Sequence, residues 1–65
     1  MTANYKVILK TGEEFSCDTI AQVMLWLRSK HPRHVMLGWH WTPGIETCGV
    51  VNDKMQLIGT VKHKL

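Results

Sequence analysis

The sequence predicts an α+β fold of order β-β-α-β-β-β, an antiparallel sheet with one helix packed on one face. Three observations carry this. Segments at Tyr5–Lys10, His34–Trp41 and Met55–Lys64 alternate in side-chain character with a period of two, the signature of strands that bury one side. A single segment, Ile20 to Leu27, instead repeats apolar residues at i, i+3, i+4 and i+7, the spacing of one buried helical face. The connections between these segments are short, which favours antiparallel neighbours and a two-layer arrangement. With 65 residues the chain reads as one domain, 1–65, whose small core makes every large apolar side chain count.

The elements follow in order. In the first strand Tyr5, Val7 and Leu9 face one way, and Lys6, Ile8 and Lys10 the other. Thr11-Gly12 offers a tight turn, because glycine accepts the positive φ that hairpins need. Glu14 to Cys17 returns as a short strand with Phe15 and Cys17 on one side. Asp18 or Thr19 then caps a helix, and Gln22, three residues beyond Thr19, completes a capping box. Ile20, Val23, Met24 and Leu27 form the expected buried stripe. Arg28 and Lys30 suit the negative end of the helix dipole, and Pro32 stops it. His34 to Trp41 is the third strand, with Val35, Leu37, Trp39 and Trp41 on the helix side and His34, Met36, Gly38 and His40 opposite. Thr42-Pro43-Gly44-Ile45 fits a type II turn. Thr47–Val51 and Met55–Lys64 complete the sheet across Asn52-Asp53-Lys54. In the last strand Met55, Leu57, Val61 and Leu65 are expected on one face, against Gln56, Ile58, Thr60, Lys62 and Lys64.

Composition narrows the function. Hydrophobic residues at 45% and charged residues at 20% belong to an ordered globular chain. The start has no basic stretch followed by an apolar run, and no apolar segment is long enough to span a bilayer. The expectation is a cytoplasmic protein with no membrane contact. Two cysteines, Cys17 and Cys48, are too few for a disulfide framework and read as free buried thiols. No metal is expected, since His31 and His34 stand apart from both cysteines and no CxxC pair exists. Cys17 precedes a helix N-terminus, which favours a thiolate, but it alternates to the buried side and has no local base. The chain lacks a phosphate loop and a dinucleotide glycine pattern, and Glu13 and Glu14 are adjacent, so on a strand they point apart. No enzymatic activity and no cofactor are expected.

What remains is binding. Trp39 and Trp41 are expected in the core, with Trp41 at the strand end only half covered and available as an anchor for a partner. The opposite sheet face collects Lys6, Lys10, His40, Lys62 and Lys64 against Glu14 alone, a surface suited to an anionic partner. Its lack of arginine and of stacking rings weighs against nucleic acid. Leu25 and Trp26 lie off the buried helical stripe. They are expected to be covered by a second copy of the chain or by another protein. The small size and the hairpin–helix–strand opening resemble compact phage accessory proteins. That resemblance implies an inhibitor or accessory protein that binds a larger protein. The reading is therefore a non-enzymatic protein-protein interaction module, possible as a homodimer; the alternative is a nucleic-acid binder that uses the basic sheet face.

Overall fold

A computed structural model describes residues 4–64. The expected α+β order is present: β1 (Tyr5–Leu9), β2 (Glu14–Cys17), α1 (Ile20–Lys30), β3 (Val35–Thr42), β4 (Ile45–Val51) and β5 (Leu57–Lys64). All five strands form one antiparallel sheet in the order β2-β1-β5-β4-β3. The final strand thus enters between β1 and β4, which leaves β2 and β3 as the edges. Leu65 lies outside the described residues. Among them, no helix is long and apolar enough to cross a membrane.

Local chemistry sets the turns and the helix. Gly12 takes φ 97° and Gly44 takes φ 87°, both in the left-handed region that glycine enters without a Cβ clash. The Thr19 hydroxyl accepts from the Gln22 amide at 3.3 Å, and the Gln22 side-chain oxygen accepts from the Thr19 amide at 3.2 Å. This is the capping box read from the sequence. At the other end the His31 amide donates to Leu27 at 2.7 Å, immediately before Pro32.

Register assembles the core on one side of the sheet. Phe15, Val7, Val61, Cys48 and Trp39 form one cross-strand row, and Cys17, Tyr5, His63, Glu46 and Trp41 form the next. Val23 and Leu27 of α1 press onto this side and are fully buried with Val7, Val50, Val61 and Cys48. The helix backbone lies close to β1 and β2 only. Gly59 permits the tight approach of β5 to β1: a Cβ there would stand 2.7 Å from the Ile8 carbonyl oxygen.

Three sequence expectations need correction. Met24, expected in the buried stripe, is 52% exposed. The helix is turned so that Trp26 packs inward, flat against Phe15 with ring centroids 5.1 Å apart. Lys30 lies over the Trp26 ring and pairs with Glu13 at 2.9 Å. Two large rings in parallel contact bury more apolar surface than Met24 could, which decides the rotation. Second, β3 bulges between Met36 and Trp39. Met36 pairs with Val50 and Trp39 with Cys48, so both lie on the helix side, while Leu37 lies outside beside Gly49 and Leu57. An extra residue in one strand resets the alternation. Third, a similar irregularity between Val50 and Val51 turns Leu57 outward, away from the face of Val61, and leaves Ile58 packed on the core.

Candidate interaction surface

Because α1 sits over the β2–β1 end, edge strand β3 at the far end of the same sheet face is left open, while Cys48 and Val50 of β4 are still buried. Edge strand β3 has a hydrogen-bonding neighbour on one side only. Of its eight residues, Met36 alone is partly covered; the others are exposed. Its sequence, VMLGWHWT, contains no lysine, arginine, aspartate or glutamate. Edge strands usually carry such charges to discourage further pairing.

The tryptophans define the open surface. Trp41 is 64% exposed, at the rim where the sequence placed it. Trp39, expected in the core, is 39% exposed, because the helix does not reach across to β3. Behind Trp39 lies an aromatic row. The Trp39 ring meets the His63 ring edge-on at 6.4 Å, and His63 stacks on Tyr5 at 4.2 Å. His63 Nδ1 lies 3.6 Å from a Glu46 carboxylate oxygen, with both side chains half-buried. This row was not anticipated: Tyr5 and His63 become neighbours only once β5 is placed beside β1.

Beneath the bulge, the buried Cys48 thiol donates to the Leu37 carbonyl at 2.7 Å. Cys17 donates to the Thr19 carbonyl at 3.4 Å. Both cysteines are free, as expected. Burial pushes both thiols up from their ordinary pKa; the Thr19 backbone contact partly offsets this at Cys17, and nearby Asp18 adds to it. They are held protonated, the form that donates a hydrogen bond rather than attacking an electrophile. Among the described residues, no group of three His, Cys, Asp or Glu side chains could hold a metal ion.

No family model matches the chain, and neither a curated protein nor a solved structure matches it. The surfaces therefore stand on their own chemistry.

The remaining sequence-derived residues fall into separate places. Lys6 and Lys62 are direct cross-strand partners on the helix-free face. With Lys64, Ser16 and Ile45 they border a shallow depression of about 200 Å³. Lys6 is paired with Glu14 at 2.9 Å. His40 lies in the same cross-strand row as Lys62, beyond Thr47, and Lys10 lies past the end of β1 in the turn. Lys6, His40, Lys62 and Lys64 thus share a sheet side, Lys10 stands apart from them in the turn, and the five do not converge on one point. Leu25 is 67% exposed and borders an open groove of about 590 Å³ with Met24, Arg28, Pro32 and His34. Trp26 does not border that groove, and its ring is already occupied by Phe15, so the two residues do not make one patch.

Proposed function

We propose that the chain is a non-enzymatic protein-interaction module, an inhibitor or accessory protein that engages a larger protein through the open β3 end of its sheet. The observation that supports this is the pair Trp39 and Trp41, both exposed on one face of an uncharged edge strand. A tryptophan supplies large apolar area and an N–H donor, the properties of an interface anchor. An edge strand adds unpaired amides and carbonyls that a further strand can meet. Both features are costly to leave in water on a protein whose whole surface is 4551 Å².

The Lys6–Lys62–Lys64 cluster favours a second reading, a nucleic-acid binder. It is the weaker one, because the exposed rings stand on the opposite side of the sheet and cannot stack bases held by these lysines. Affinity capture with and without nuclease, using the wild type and Trp41→Ala, separates the two. The interaction reading expects a stoichiometric protein partner that survives nuclease and is lost with Trp41→Ala. Capture that disappears with nuclease and ignores Trp41→Ala overturns it in favour of nucleic acid.

A further inference from the structure

We infer that β3 pairs with β3 of a second copy of the chain, antiparallel about a two-fold axis beside His40, and that the tryptophan surface is complete only in this dimer. The inference rests on the reading of β3 as the contact surface. Past the bulge, β3 runs in unbroken register from Trp39 to Thr42. This is the regular segment available for new pairing. Residues directly opposed in an antiparallel pair share a face. A two-fold axis normal to the sheet keeps the helix sides of both copies on the same side. Pairing about His40 then sets Trp39 opposite Trp41 of the second copy, twice by symmetry, on the helix side. His40 meets its own counterpart on the outer side.

Two features select a second copy rather than an unrelated strand. Self-pairing sets β3 only against residues of β3 itself, and the strand has no lysine, arginine, aspartate or glutamate, so no fixed like charges are brought together. The match is also rewarded, since cross-strand aromatic pairs stabilise a sheet. The other edge is poorly suited. Strand β2 is only four residues long, bears Glu14 paired to Lys6, and is flanked by the helix. The contact is isologous and closes on itself, so it ends at a dimer instead of a fibre. The product is one continuous sheet with four tryptophans on a single platform, offered to the larger partner.

The test is the mass in solution by sedimentation or light scattering over a dilution series. The wild type is expected at twice 7.5 kDa. His40→Lys sets two ammonium groups against each other on the axis and is expected at 7.5 kDa with an unchanged circular dichroism spectrum. As an independent measurement, His40→Cys under mild oxidation is expected to give a reducible covalent dimer, while Thr60→Cys, on the outer face of β5, gives none. A wild type that is monomeric throughout, a dimer that persists in His40→Lys, or the absence of a cross-link in His40→Cys overturns the inference. A monomeric wild type whose captured partner is still lost with Trp41→Ala fails the dimer alone and leaves the interaction reading intact. A dimer whose capture ignores Trp41→Ala supports the pairing and fails the larger partner.

Discussion

At the scale of single residues, Cys48 is the side chain that holds the open end of the sheet in shape. The ladder between β3 and β4 lapses between Met36 and Trp39, at the carbonyl of Leu37. The Cys48 thiol, fully buried, donates to that oxygen at 2.7 Å. Removing it withdraws a partner from a part-buried acceptor and leaves a small void. Cys48→Ala should therefore cost about 2 kcal/mol. Cys17→Ala should cost less. Its contact with the Thr19 carbonyl is longer at 3.4 Å, and that oxygen also accepts from the Val23 amide. Urea denaturation of the two variants checks the order, and equal losses would mean the thiol does not support the bulge. The pH dependence has a definite sign. Burial raises both thiols in the folded state, so their contribution is present below the ordinary thiol pKa and is lost as the pH rises through the raised folded value. Alkaline destabilisation should accordingly be smaller in the double Cys→Ala variant than in the wild type.

At the scale of elements, the sequence disclosed whatever is set by near neighbours. The capping box at Thr19 and Gln22, the stop at Pro32 and the glycine turns are all decided within a few residues, and they stand where expected. Face assignments were lost where distant contacts decide. Ile20, Val23 and Leu27 are compatible with a stripe leaning either toward Met24 or toward Trp26, and the choice falls to Phe15 on another strand. The exposed β3 half carried one unused signal, Gly38, since an isolated glycine within a strand often marks a bulge. The place of β5 between β1 and β4 depends on long-range pairing that no local pattern encodes. The β4–β5 connection shows local chemistry again, with a flaw. Asn52 Oδ1 accepts from the amides of Lys54 and Gln56 at 2.9 and 3.0 Å. This loop holds Met55 at φ 62°, a left-handed conformation that a residue with a Cβ resists. The Met55 side chain is 67% exposed and has little packing to lose. Met55→Gly should stabilise the fold by about 1 kcal/mol, read as a higher denaturant midpoint at unchanged slope. A lower midpoint would show that Met55 contributes packing that outweighs its backbone strain.

At the scale of the whole molecule, the net charge of +3 is unevenly placed. Glu13, Glu14, Asp53 and Glu46 each face a basic group, respectively Lys30, Lys6, Arg33 and His63. Asp18 is the only other acid in the chain. Lys62 and Lys64 have no acidic partner among the described residues, and Lys62 stands directly opposite Lys6. Like charges so opposed weaken a sheet, so the double variant Lys62→Gln, Lys64→Gln should fold at least as well as the wild type. The same substitution measures what the face binds. Each phosphate neutralised on a single strand contributes about 0.7 to the slope of log affinity against log salt. If both lysines touch phosphates, the slope for a single-stranded oligonucleotide should fall by about 1.4 in the double variant, and Trp41→Ala should leave it unchanged. Fluorescence anisotropy at several salt concentrations reads both. A slope that ignores the lysines would remove the outer face from any role with polyanions. A slope that instead responds to Trp41 would put the oligonucleotide on the tryptophan surface and make nucleic acid, not protein, its occupant.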